Sequence, residues 1–188
     1  MSNLATLKKK AAEFEQKRQF DRALEAYEEV LRLQDGTEDA DVALYNRVGD
    51  MQLRVGRTAE ALRSYERAVD LYTDRGFLNN AIALCNKILR QDPQRAQVHF
   101  KLGRASAVKG FRSDARRHLL EYAEIMQRGG RVDEALAALA ELVEVGPEMD
   151  ELRLLLADQF ERHGRVADAI VQLKRAADVA DRAGRSAD

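Results

Sequence analysis

A glycine followed five positions later by an alanine recurs along this chain at fixed intervals, and no other feature restricts the fold as much. The pairs are Gly56/Ala61, Gly76/Ala81, Gly110/Ala115, Gly130/Ala135 and Gly164/Ala169. Successive glycines stand 20, 34, 20 and 34 residues apart, and Gly184 follows after 20 more. The stretch from Gly56 to Pro93 therefore returns, offset by 54, from Gly110 to Pro147, and a third copy opens at Gly164. Near Arg18 the same register runs without the glycine, with Ala23 in the alanine place. Self-similarity of this period is the mark of a solenoid, in which each unit buries its apolar face only against its neighbours.

Each glycine closes a helical apolar pattern, where a left-handed residue ends a helix at little cost. Each alanine falls about one turn into the next helix, where a small side chain lets two antiparallel helices cross closely. Gly49, Gly103 and Ala157, also 54 apart, fit the same logic in the middle of another helix. A mid-helix glycine costs roughly 1 kcal/mol against alanine, so packing has to justify it.

These residues resemble the tetratricopeptide repeats, of the bacterial type. That family is built of 34-residue helix–turn–helix units with small residues at the crossings, a large apolar residue four after the alanine, and a closing proline. The matching sets are Tyr45, Gly49, Gly56, Ala61, Tyr65 and Ala68; then Gly103, Gly110, Ala115, Leu119 and Tyr122; then Ala157, Gly164, Ala169, Leu173 and Ala176. Pro93 and Pro147 hold the closing place. The resemblance implies an all-α fold, an α-solenoid of antiparallel helix hairpins. One departure is expected. A spacing of 20 leaves no room for a fresh helix pair, so the helices at 58–75 and 112–128 must each close one repeat and open the next. The unit becomes three helices in 54 residues.

About ten helices are predicted, at 3–17, 20–33, 40–55, 58–75, 78–91, 95–109, 112–128, 132–145, 149–163 and 166–183, forming one solenoid domain over 1–188. Apolar residues at three- and four-residue steps, such as Leu24, Tyr27, Val30 and Leu31, set these spans. Asp21, Thr58, Asn79, Ser113 and Asp133 lie near helix starts, where they can cap backbone N–H groups. The step from Ala23 to Ala61 is 38, so about four residues are inserted at 34–41. Asp35, Glu38, Asp39 and Asp41 in that insertion do not follow a calcium-loop pattern; they read as a solvated turn at Gly36 with an Asp capping the next helix. The chain stops just past Gly184, where another helix would be expected. The reading is a truncated or uncapped C-terminal end whose last helix has one apolar side open.

Lys plus Arg is 31 and Asp plus Glu 32, which gives no charge excess to attract nucleic acid or an anionic membrane. Cys85 is alone, and its place four after Ala81 makes it a core residue; a reducing compartment, the cytoplasm, is expected. The N-terminal MSNLATLKKKAAEFEQK lacks the apolar core of a signal peptide, and no apolar run is long enough to span a membrane. His99, His118 and His163 form no metal or catalytic motif, and His99 takes the packing place of Tyr45. No phosphate-binding, dinucleotide or nucleophile-elbow motif is present. No enzyme, cofactor or metal is expected.

The resemblance implies the function of a protein–protein interaction scaffold that docks a peptide or helix of another protein. In the first helix of the family's repeat one stripe faces a groove. The matching stripes here are Asn46, Asp50 and Arg54; Phe100, Arg104 and Val108; and Leu154, Asp158 and Arg162. Phe100 beside Arg104 suits peptide docking, unless Phe100 packs on a neighbouring helix. The family's carboxylate clamp is not supported, because Lys8 pairs in register with Ala12 and Asn46 with Asp50. The alternative is a structural module that forms homo-oligomers through its open C-terminal end.

Overall fold

The computed structural model describes residues 2–34, 41–145 and 150–182. These form ten α-helices and, among the described residues, no strand: α1 (Ser2–Gln16), α2 (Phe20–Gln34), α3 (Val42–Arg54), α4 (Thr58–Asp74), α5 (Leu78–Gln91), α6 (Ala96–Val108), α7 (Arg112–Arg128), α8 (Val132–Val145), α9 (Asp150–Arg162) and α10 (Val166–Arg182). The predicted spans agree within two residues. The chain divides into two compact units, Met1–Gln91 and Asp92–Asp188. Most of the insertion at 34–41, Pro147 and Gly184 lie outside the described residues.

The repeated glycines do what their spacing implies. Gly56, Gly76, Gly110, Gly130 and Gly164 all have φ between 70° and 80°. At α3 the Gly56 N–H donates to Leu53 O and the Arg57 N–H to Gln52 O, at 3.1 and 2.8 Å. This paired closure satisfies two carbonyls that the helix end leaves without partners. The same two bonds recur after α4, α6, α7 and α9. They recur after α1 as well, where Arg18 replaces glycine and is held at φ 57°, the one non-glycine residue in that region among those described. After α4 the apolar contact that accompanies such closures is an edge-on meeting of Phe77 and Tyr72 rings, 6.4 Å between centroids.

Capping corrects the sequence reading. Thr58 and Ser113 sit inside the first turns of α4 and α7; the cap positions are Arg57 and Phe111, and neither side chain caps. Asp41 does stand at the cap position of α3, but makes no side-chain cap bond. Its carboxylate takes Lys8 Nζ from α1 instead, at 2.8 Å. At α4 and α7 the two-bond closure of the preceding helix, rather than a side-chain cap, sets the boundary.

In the first unit α1 packs on α2, α2 on α3, α3 on α4 and α4 on α5. One core cluster joins Ala11, Ala23, Leu24, Tyr27, Val30, Leu44, Val48 and Met51, and Ala61, Tyr65, Ala81, Cys85 and Ile88 are buried further along. In the second unit α6 packs on α7, α7 on α8 and α9, α8 on α9 and α9 on α10. Its core runs from Leu119 and Met126 through Leu139 to Leu156 and Phe160. The five alanines of the repeat, with Ala23, are all buried. The mid-helix glycines are explained by contact. A Cβ on Gly49 would lie 2.4 Å from the Tyr65 ring, and one on Gly103 2.7 Å from Leu119 Cγ, so α3–α4 and α6–α7 cross closer than any side chain allows.

Candidate functional site

In the first unit the stripe Asn46–Asp50–Arg54 is already engaged within the chain. Lys87 of α5 donates to Asn46 Oδ1 at 3.0 Å, contacts the Asp50 carboxylate, and lies 4.3 Å from the Tyr65 ring centroid. The Tyr65 hydroxyl donates to Asp50 Oδ1 at 2.6 Å. Burial and the Asp50 charge push the Tyr65 hydroxyl well above its usual range, so it stays a donor. Arg54 rests over the Phe20 ring, 4.8 Å from its centroid.

In the second unit the stripe splits. Phe100 is half-buried, its ring tilted against Tyr122 at 5.0 Å, while Arg104 is exposed and Val108 is 62% exposed. On α9, Leu154 is 49% exposed, and Asp158 pairs with Arg162 at 3.0 Å. The stripe positions thus range from a closed polar network at α3 to one open leucine beside an ion pair at α9.

Two features escaped the motif search. The first is a histidine pair. His99 of α6 and His118 of α7 are buried with their Nδ1 atoms 3.1 Å apart. His99 Nε2 lies 3.0 Å from the Pro93 carbonyl, which can only accept, so Nε2 carries the proton. His99 Nδ1 then accepts from His118 Nδ1–H. Burial first, and then the Arg117 guanidinium and the neighbouring His99, push the His118 pKa down to about 4; Asp114 opposes them. The same two register places hold Arg153 and Gln172 in the next copy, where Arg153 is buried. Arg153 donates to Gln172 Oε1, Val143 O and Glu144 Oε1 at 3.3, 2.9 and 3.0 Å. Its guanidinium holds the Glu144 carboxyl below the usual range. A 19-residue offset repeated at 54 was the available signal.

The second is an open concavity between α2, α3 and α4, lined by Leu31, Tyr45, Gln52, Ser64, Arg63 and Arg67. The Ser64 hydroxyl donates to Gln52 Oε1 at 2.7 Å across its floor. Among the described residues no group of three or more His, Cys, Asp or Glu is placed to hold a metal. No helix among them is long and apolar enough to cross a membrane.

Antiparallel helix hairpins closed by left-handed glycines, with glycine or alanine at each crossing, define an all-α solenoid of paired helices. The tetratricopeptide repeat family model matches residues 9–76 and 123–187, more than half of the chain, and the chain belongs to that family. Solved structures with similar chains include MamA, 17% identical over 93% of this chain and 96% of that one, with a TM-score of 0.31. A tetratricopeptide repeat protein from Parabacteroides merdae is 18% identical over 98% and 88%, with a TM-score of 0.35. The Rap conjugation gene regulator of plasmid pLS20, solved with the Phr* peptide, is 12% identical over 97% and 54%, with a TM-score of 0.43. The comparison with curated proteins finds no match.

Proposed function

We propose that this protein is a non-catalytic scaffold that docks a peptide or helix of a partner protein. The observation that supports it most directly is the exposure of Val108 and Leu154 at predicted docking positions of α6 and α9, beside the charged Arg104 and Asp158. Apolar anchors ringed by charge are the usual energetic centre of a protein interface. The test is quantitative capture of partners from the native host by the wild-type chain and by an Arg104→Glu/Val108→Glu variant. Loss of the same bands with an unchanged melting curve supports the reading. An identical set of bands from both overturns it.

We also infer that the architectural unit is three helices in 54 residues. Helix lengths of 13, 17 and 14 residues for α3, α4 and α5 return as 13, 17 and 14 for α6, α7 and α8, then 13 and 17 for α9 and α10. The helices α4 and α7 each pack on the helix before and the helix after, as shared elements must.

Self-association through the C-terminal end is the second reading, favoured by the exposed apolar residues of α10.

A further inference from the structure

Arg63 and Arg67 of α4 are both exposed and both line the concavity between α2, α3 and α4. No carboxylate of the described residues pairs with either. Four residues apart, they are neighbours on one helix face, an arrangement of like charges that weakens a helix. Arg32 of α2 lines the same concavity, and Tyr45 of α3 brings a hydroxyl that has no hydrogen-bond partner among the described residues. One acid faces these three cations: Glu28, whose carboxylate accepts from Gln52 Nε2 at 3.4 Å. Arg32 pairs with Glu29 on its own helix.

Two repeats further on, the same register places show which group they can hold. Arg175 stands at the place of Arg67, and Arg153 at the place of Tyr45. Glu144 lies nine residues after Ala135, as Arg32 lies nine after Ala23, and so takes the place of Arg32. Glu144 Oε1 accepts from Arg153 Nη1 at 3.0 Å and also contacts Arg175 Nη1. The third copy thus carries its own carboxylate between two donors. In the second copy, Arg117 at the place of Arg63 is paired with Asp114 at 2.8 Å, and Glu121 stands at the place of Arg67. The first copy keeps both donors, as Arg67 and the Tyr45 hydroxyl, and exchanges the carboxylate for Arg32. Its positive charge is therefore left without the acid that the fold supplies elsewhere.

We propose that the concavity between α2, α3 and α4 binds a carboxylate side chain of an acidic partner segment, with Arg67, Arg63 and the Tyr45 hydroxyl donating to it as Arg175 and Arg153 donate to Glu144. The ligand is acidic because three cations face one acid. A carboxylate is the group that the third copy already holds, and the guanidinium fork matches its two oxygens. The concavity holds about 440 Å³, within the span of ligand clefts, and its partly buried Leu31 takes an apolar neighbour of the acid. The scaffold reading above contributes only that the ligand is a protein segment.

The probe is a fluorescein-labelled hexapeptide alternating glutamate and leucine, titrated with the full chain by fluorescence anisotropy at low salt. Saturable binding is expected, weakening at least tenfold on an Arg63→Gln/Arg67→Gln chain. The melting curve of that chain should be unchanged, because both side chains are exposed. An Arg116→Gln/Arg131→Gln chain, which loses the same charge elsewhere, should bind within about twofold of wild type. Absence of binding, equal weakening by the two double variants, or equal binding of a glutamine–leucine peptide overturns the proposal. Displacement of the probe by micromolar inorganic phosphate overturns it too, since the site would then take a free anion. So does a chain with Asp35→Asn, Glu38→Gln and Asp39→Asn that binds the probe at least tenfold more tightly, since the chain's own acids would then be the occupant. A dimer in sedimentation equilibrium that Arg63→Gln/Arg67→Gln dissolves would assign the site to a second copy and overturn it as well. Partner capture through Arg104 and Val108 is scored separately, so the scaffold reading survives a negative peptide result.

Discussion

The α3–α4 crossing of the first unit and the α6–α7 crossing of the second share backbone register and differ in chemistry. Both place a glycine under a large side chain, Gly49 under Tyr65 and Gly103 under Leu119. In the first, the tyrosine hydroxyl is tied to Asp50 and Lys87, and Ser64 meets Gln52 beside it. In the second, leucine needs no partner, and the polar place beside it holds the His99–His118 pair. One geometry thus accepts either a network that joins a tyrosine hydroxyl, a carboxylate and a lysine, or a histidine pair in which burial lowers the His118 pKa. Both crossings should be sensitive to volume, and they should differ in their sensitivity to acid.

The acid response is the largest expected difference. The folded His118 value is near 4 and the unfolded value near 6.5. Between those limits the unfolded chain binds a proton that the folded chain refuses. Stability of the second unit is therefore full above pH 6.5 and falls as pH drops toward 4, by on the order of 3 kcal/mol in all. Hydrogen exchange followed from pH 7 to 4.5 should show protection falling faster in α6 and α7 than in α3 and α4. His118→Gln, with glutamine already at place 172, should level the two. Parallel losses in both units would remove the titrating contrast.

Next in size, Gly49→Ala and Gly103→Ala should each destabilise by about 1–3 kcal/mol through overpacking, net of the helix propensity alanine gains. Gly49 should lose more, because its clash is with an anchored ring at 2.4 Å. Urea midpoints decide this, and a gain in stability at either site would mean that the crossing is looser than its atoms indicate. Tyr65→Phe should cost about 1.5–3 kcal/mol, the value of a hydrogen bond to a charged acceptor; thermal melting at pH 7 measures it. A neutral result would make Tyr65 equivalent to Leu119 and erase the difference between crossings. The smallest effect is a gain. Arg18→Gly should relieve left-handed strain and stabilise by about 0.5–1 kcal/mol, after the unfolded-state entropy of glycine is subtracted.

Helix positions were legible because glycine and alanine mark ends and crossings through backbone sterics alone. The left-handed φ at Gly56, Gly76, Gly110, Gly130 and Gly164 followed directly from that logic. Side-chain partnerships were not legible in the same way. The sequence places Asn46 and Asp50 on an outward stripe, but their partner Lys87 lies 41 and 37 residues away, on a helix whose seat depends on how three helices settle together. The histidines looked isolated because no motif spans 19 residues. Only the repeat register, which sets 45 against 64, 99 against 118 and 153 against 172, brings such pairs together. Capping was misjudged at Thr58 and Ser113, where carbonyl closure by the preceding turn fixes the boundary, and at Asp41, whose carboxylate takes Lys8 instead.

The burial of Cys85 has a practical consequence. The chain holds a single sulfhydryl, and it is fully enclosed on α5. A thiol reagent can reach it only in those moments when α5 lifts away. The rate of alkylation in native buffer is then a clock for that opening, built into the molecule without any added label, and it should slow when the first unit is stabilised and stay constant when only the second is altered.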